Sequence, residues 1–421
     1  MFWVAHASRV LVSVSRRNEL LYPRCDELHR SSIFIAAKSS RWRGRHRPHA
    51  RRPFDFAQGG LCATQFLLIM PTATENYSLG LQVEIGKIDT ELKKLWQQSE
   101  GAMTRASLVN LAVYSEVPGS LAQNTQLIAE LTLNHACRAI VIGADPTAKE
   151  NRVEAWISAH CHVGHAGSKQ ICSEQLSFLL EGPCTGLLPN IVFSHLDSDL
   201  PFYLWWQGPL HDPMDPQLWA WVDRFIYDSR EWDDFDAQMR LVETAQEEAR
   251  QRIVLCDLNW TRLDKIRLAV AQFFDHPASH HHFAELESAQ IYFAPGFRST
   301  ALLLAGWLAA QLGWRAEKTT SSERLQFANS QGGKIDIELT ERAGEAVDEI
   351  VLRSDGVEFA VRHATCGDLL EVSRGKANET RLPQLMPAQG NHPVQLMSQE
   401  LLRGGPHRVY LRAANYLRHS S

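Results

Sequence analysis

Between residues 107 and 143 the chain alternates in a way that leaves few folds open. S-L-V-N-L-A-V-Y-S (107–115) reads as a strand, and Pro118-Gly119 breaks it. Residues 120–134 carry a helical pattern, and C-R-A-I-V-I-G (137–143) is the short apolar run of a buried strand. Strand, helix and strand joined by brief connectors make a β-α-β unit, which implies a parallel core covered by helices. An amphipathic helix is expected just upstream over 87–100, with Ile88, Leu92, Leu95 and Trp96 on one face.

Further elements follow the same logic. Strand-like runs at 152–163 and 169–181 flank a G-H-A-G-S loop. A hairpin closing near Ala166 would bring Cys161 opposite Cys172, near enough to cross-link under oxidation, although two reduced cysteines in a sheet is the plainer reading. A helix at 187–196, strands at 200–207 and 224–228, a short helix at 219–222 and a long polar helix at 234–252 come next. A short strand is expected at 290–294. The segment 298–313 is apolar nearly all round, so it belongs between layers, with Gly313 placed to end it. From Glu323 the period changes to two. Strands at 324–328, 334–341, 347–353 and 357–363, with Asp355-Gly356 as a hairpin turn, predict an antiparallel meander. Helices at 394–403 and 407–418 close the chain. The fold class is therefore α/β (α+β overall): a parallel or mixed sheet with flanking helices over 80–255, then an antiparallel meander plus helices over 256–421.

Charge separates residues 1–69 from the rest. Positions 1–70 hold 12 Lys/Arg against 4 Asp/Glu, and the remainder holds 31 against 44, a net of −13. That acidic body argues against a nucleic-acid partner, which needs a basic footprint. The basic run R-W-R-G-R-H-R-P-H-A-R-R-P suits a transit peptide, or translated upstream sequence with Met70 as initiator. Disorder is expected there either way. No apolar run reaches the roughly 18 residues that span a bilayer, so no membrane role is expected. Eight scattered cysteines without C-x-x-C suggest reduced thiols and a cytosolic home.

Catalytic signatures are missing. The chain lacks G-x-G-x-x-G, G-x-x-x-x-G-K-[ST], G-x-S-x-G and H-E-x-x-H. His160, Cys161, His162 and His165 lack a second ligand cluster, and His276 with His280, His281 and His282 reads as a solvated loop, so no metal, cofactor or catalytic residue is expected. Two stretches stand out instead. In C-D-L-N-W-T-R-L-D-K (256–265), Asp257, Asn259, Trp260, Thr261 and Arg262 crowd donors, an acceptor and a large ring ahead of an apolar-faced helix, with Thr261 or Asp264 as its cap. This is either a tightly capped helix start or a rigid polar recognition surface. D-L-P-F-Y-L-W-W-Q-G (199–208) ends with Trp205 and Trp206, which form either a sugar-stacking shelf or, more plainly, a packed core on opposite faces of a strand.

Six blocks taken in order resemble one family. They are A-S-L-V-N-L-A-V-Y (106–114), N-H-A-C-R-A-I-V-I (134–142), D-L-P-F-Y-L-W-W-Q-G, D-R-F-I-Y-D-S (223–229), D-L-N-W-T-R-L (257–263) and L-L-L-A-G-W-L-A-A-Q-L-G-W (302–314). Together they look like the OpcA family of glucose-6-phosphate dehydrogenase assembly proteins, over about residues 80–418. The family pattern has proline where this chain has Ala136. The resemblance implies a cytosolic, non-catalytic partner of glucose-6-phosphate dehydrogenase that promotes its active oligomer in the oxidative pentose phosphate pathway. On that reading Asp257, Asn259, Trp260, Thr261 and Arg262 are the expected docking residues, with Trp205 and Trp206 second. The rival is a sugar-phosphate enzyme or sensor that uses the Trp205/Trp206 strand end and sets Arg262 on the phosphate.

Overall fold

A computed structural model gives the fold of residues 79–97, 103–163, 170–211, 216–249, 252–275, 279, 281–317, 323–365, 368–376 and 382–418. The expectations for residues 1–69, the turn at Ala166, and His165, His276 and His280 lie outside the described residues.

The first sheet is built from β1 (Leu81–Val83), β2 (Met103–Arg105), β3 (Asn110–Ser115), β4 (Arg138–Asp145), β5 (Arg152–Val163), β6 (Gln170–Glu181), β7 (Phe202–Gln207), β8 (Arg224–Tyr227) and β9 (Val254–Asp257). Its order is β1-β5-β6-β4-β3-β7-β8-β9, with β2 beside β6. From β6 to β9 every neighbouring pair is parallel. In chain order these six parallel strands sit third, second, first, fourth, fifth and sixth across the sheet. That is the doubly wound order of dinucleotide-binding folds. Helices Ser120–Thr132, Leu188–His195 and Phe235–Glu248 lie in the connections. Strands covered on both faces are mostly apolar, and β3 is buried at every position, with polar side chains only at its ends, Asn110 and Ser115, and on Tyr114. The β5–β6 hairpin forms as expected, and its register sets Cys161 opposite Cys172. The two are joined by a disulfide, where the plainer expectation was a reduced pair.

The second sheet holds β10 (Leu286–Phe293), β11 (Arg315–Ala316), β12 (Arg324–Ala328), β13 (Lys334–Glu341), β14 (Val347–Ser354), β15 (Val357–His363), β16 (Leu369–Lys376) and β17 (Gln384–Pro387). Its order is β11-β12-β13-β10-β14-β15-β16-β17. The expected meander needs correcting here. β10 enters between β13 and β14, parallel to the first and antiparallel to the second. A period of two reports which face is buried and carries no information about which strand lies alongside.

One core cluster runs from the first sheet (Tyr114, Ile140, Trp206) through the Arg298–Leu312 helix to the second sheet (Ile291, Ile337, Phe359). A second cluster lies on the other face of the first sheet, where the Ser120–Thr132 and Pro393–Leu402 helices pack on Leu111, Val141 and Trp205. The Arg298–Leu312 helix is interior, as its all-round apolarity predicts, and Gly313 ends it in the left-handed region at φ 67°.

The Arg298–Leu312 and Tyr410–Arg418 helices meet at Gly306, where an added Cβ would stand 2.4 Å from the Ala413 carbonyl oxygen. Alanine normally favours a helix interior by about 1 kcal/mol over glycine. At this crossing overpacking by about 1–3 kcal/mol outweighs that gain. Gly306→Ala is expected to lower stability in urea unfolding, and a rise in the midpoint would refute the close approach.

Candidate functional site: a buried polar node after β9

β9 ends at Asp257, and the chain turns at once into a four-residue helix, Leu258–Thr261, followed by the Asp264–Gln272 helix. Asp257 is the cap, its carboxylate accepting from Asn259 N at 2.9 Å. The expectation that Thr261 or Asp264 would cap the longer helix is therefore corrected. Leu263 stands at that N-cap without a side-chain bond.

The five residues expected to form a docking surface are interior. Asp257, Asn259 and Thr261 are fully buried, and Trp260 and Arg262 are 3% and 7% exposed. Asp257 also accepts from Ser229 N at 3.0 Å and Ser229 Oγ at 2.7 Å. Asn259 donates to Ser229 Oγ and Ser299 Oγ, and its oxygen accepts from Thr300. Trp260 packs edge-on to Tyr410, with the Arg267 guanidinium over its ring at 3.4 Å. The Thr261 hydroxyl donates to the Glu400 carboxylate.

Arg262 grips Asp228 with both terminal nitrogens, at 3.2 and 2.7 Å, and uses Nε on Asn391. A guanidinium with its fork already on a carboxylate has little left for a phosphate. The adjoining crevice, lined by Arg262, Thr300, His363, Gln389 and Asn391, has room on the order of 10 Å³, about one water molecule. Trp205 and Trp206 are 4% and 9% exposed and belong to the cores on opposite faces of β7. The Trp206 indole donates to Pro209 O and its ring lies 4.1 Å from Tyr114. The plainer reading of these two, a packed core, holds.

Four partners completing the node were not anticipated: Asp228, Glu400, Arg403 and His407. Glu400 lies on the Pro393–Leu402 helix and is fully buried. His407 Nε2 lies 3.1 Å from both of its carboxylate oxygens, and Arg403 Nε stands at 3.4 Å. Arg403 reaches on to Asp264, and Arg224 of β8 donates to the Glu400 and Arg403 carbonyls at the end of that helix. A signal existed in the sequence: Glu400 falls one turn after Leu396, on the buried face.

The two buried carboxylates are tuned in opposite directions. For Asp257 burial dominates, the Asp228 charge adds to it, and the hydrogen bonds only partly compensate, so the carboxyl is pushed up to about 6. For Glu400 burial also pushes upward, but the His407 hydrogen bond and charge with the Arg403 charge outweigh it and hold the group at about 2. Burial lowers Arg267 to about 10 against the pull of Asp264. Most polar groups of the node are paired with one another, Arg267 Nη1 and Arg403 Nε being the exceptions, and no nucleophile with an adjacent base and open space is assembled in it.

Among the described residues, His281, His282 and Glu285 place ligand atoms within 4.8 Å of one another. His282 Nδ1 lies 3.1 Å from Ser354 Oγ. Burial, then the charges of His281 and Arg374, hold its imidazole below the usual range, so a metal ion would meet a positive neighbour. His160 bonds Gln175 at 2.8 Å, and Cys161, tied up in its disulfide, is no ligand. No helix among the described residues is long and apolar enough to cross a membrane.

A parallel sheet, a second mixed sheet and a buried polar node define an α/β protein built on a doubly wound strand order. Residues 129–244 match the family model described as the glucose-6-phosphate dehydrogenase subunit N-terminal domain, and residues 253–414 match its C-terminal domain. The chain belongs to the OpcA family. Relatives named OxPP cycle protein OpcA include one from Synechocystis sp., 22% identical over 66% of this chain and 62% of its own length. Another, from Synechococcus elongatus, is 24% identical over 77% of this chain and 75% of its own. The alignment thus spans about three fifths of the Synechocystis protein. Among solved structures, aldose-aldose oxidoreductase from Caulobacter crescentus covers 74% of this chain and 95% of its own, at 9% identity and TM-score 0.42. Biliverdin reductase from Synechocystis sp. covers 73% and 96%, at 10% identity and TM-score 0.38. These structural scores are too low to bear on function.

The opposed tuning of Asp257 and Glu400 has a measurable consequence. Glu400, ordinarily near 4.5, contributes stability that is present above 4.5 and lost as pH falls toward 2, on the order of 3 kcal/mol in all. Asp257, ordinarily near 3.8, carries a cost above pH 6 that is relieved as pH falls from 6 toward 4, also on the order of 3 kcal/mol. In urea unfolding at stepped pH, Glu400→Gln should flatten the acid limb below pH 4.5, and Asp257→Asn should flatten the limb between 6 and 4. Wild-type slopes in both variants would refute the tuning.

Proposed function

We propose that this chain is a non-catalytic partner of glucose-6-phosphate dehydrogenase that favours the enzyme's active oligomer. The observation carrying this reading is the pair of family matches, described as a glucose-6-phosphate dehydrogenase subunit, which together cover more than half of the chain. The node agrees with it, because its polar groups are spent on one another rather than aimed at a substrate. A protein that binds one assembly state of another more tightly shifts the population toward that state by the difference in affinity, with no chemistry of its own. Feeding NADPH supply in the cytosol is the setting this role implies.

Asp257, Asn259, Trp260, Thr261 and Arg262, with Trp205 and Trp206 behind them, act on the partner at one remove in this proposal. They fix the Pro393–Leu402 helix and the Asn391 segment, and those elements present the docking face. The dehydrogenase from the same source, assayed and sized with and without this protein, should be more active and more highly assembled with it. A dehydrogenase neither bound nor stimulated removes the proposal. Arg262→Lys keeps the charge but loses the two-pronged grip on Asp228. With its fold confirmed by circular dichroism it should stimulate at least a few-fold less. Full stimulation by that variant would leave the node a purely structural device.

A further inference from the structure

A sheet wound in this order takes a dinucleotide at the reversal point, here the crevice between β3 and β7 at their carboxyl ends, with the pyrophosphate on the first turn of the following helix. We propose that in this chain the crevice is knit shut by its own side chains and binds neither NAD(H) nor NADP(H). Four observations carry this, none of which concerns the buried node.

The turn itself is S-E-V-P-G, from Ser115 to Gly119, before the Ser120–Thr132 helix. Phosphate-binding turns of this type use three glycines so that backbone and pyrophosphate approach closely. Here Gly119 alone takes a left-handed conformation, at φ 78°. Two backbone N–H groups of the turn are also engaged: Ser120 N donates to Val117 O at 3.0 Å, and Val117 N to Ser115 Oγ at 3.3 Å.

Glu116 then puts a carboxylate across the crevice. It accepts from Tyr114 Oη at 2.6 Å, and its other oxygen lies 3.0 Å from Nε2 of His211, in the segment after β7. The side chain therefore spans the ends of both strands that frame the reversal point. A phosphate entering there would meet a like charge at close range, which weakens binding on the order of a thousandfold.

Behind Glu116 a second bridge crosses the same gap. Asn124, 2% exposed and in the opening turns of the helix, exchanges two hydrogen bonds with Gln207 at the end of β7, at 2.9 and 2.8 Å. A ligand would have to break this reciprocal amide pair and leave buried amide groups unpaired. Finally, Asp145 ends β4, where an acidic residue would take a ribose hydroxyl. One oxygen of that exposed carboxylate, Oδ1, is engaged by Thr147 N and Thr147 Oγ1 at 3.0 and 2.7 Å. What the turn keeps is the packing device: a Cβ on Gly143 would lie 3.3 Å from that of Leu121, so helix and strand still approach closely.

The test uses the full chain, its fold confirmed by circular dichroism. NADPH and NADH are titrated to about 0.1 mM, well above the micromolar range of an open site and well below the roughly millimolar range of one weakened a thousandfold. Nucleotide fluorescence and the melting temperature are both followed. The expected result is a linear, unsaturating fluorescence signal and an unshifted melting temperature with either nucleotide. Saturable one-to-one binding below about 0.1 mM, or a rise in melting temperature with either nucleotide over that range, would overturn the inference. The outcome is independent of the assembly role, which is read from the dehydrogenase and not from this chain's own ligand.

Discussion

The contact that fastens the carboxyl-terminal helices to the first sheet is the one at Glu400. A carboxylate without exposed surface is tolerable only if ionic and hydrogen-bonding partners replace the water it has lost. Here Thr261 supplies one from the end of the first sheet, and His407 and Arg403 supply the others from the carboxyl-terminal segment. Removing one partner of such a group leaves a charge stranded in the interior, which typically costs about 3–5 kcal/mol. The Pro393–Leu402 helix is thereby fastened to the first sheet rather than to the strands that precede it in sequence. Arg224 reinforces this from β8 by holding the carbonyls at the helix end. Asp257, four residues before Thr261, shows the contrast. Its partners are neutral donors and its nearest charge is another acid, so the same burial raises it instead.

Much of the architecture could be read from local pattern. The βαβ alternation at 107–143 placed a parallel core, the all-round apolarity of residues 298–312 placed a buried helix, and alternation placed β12, β13 and β15 with their observed limits. The failures have a common cause. β9 was hidden because V-L-C-D is too short to show a period and runs straight into the turn that follows. The position of β10 was invisible because both of its neighbours are distant in the chain. The docking surface expected at D-L-N-W-T-R-L proved interior for the same reason. Most of its covering partners are far away in the chain, Ser229 being 28 residues from Asp257 and Glu400 139 residues from Thr261. A crowd of polar groups looks alike in sequence whether it faces solvent or is matched atom for atom inside. The hairpin around Cys161 and Cys172 was legible because its two halves are adjacent, and only the oxidation state departed from the plainer expectation.

The molecule keeps a scaffold associated with cofactor binding while its polar investment lies elsewhere. Strand order, helix coverage and the close Gly143–Leu121 approach all belong to a dinucleotide-type sheet. The most deeply buried polar cluster lies at the far edge of the sheet, in the turn that follows β9. Winding order is set by chain sterics and helix packing, so it survives changes in side-chain chemistry that remove a ligand site.

The insertion of β10 between β13 and β14 also sets the order in which the second sheet can be completed. β10 is made before both of its partners and spends the synthesis of the following helix and of β11 and β12 without either lateral neighbour. Both of its ladders close only when residues 334–354 have emerged, so a strand carrying Ile291 and Phe293 waits with two open edges on the ribosome. Chain segments in that state are the natural clients of chaperones, and this sheet should be the slow, chaperone-dependent step in production of the protein.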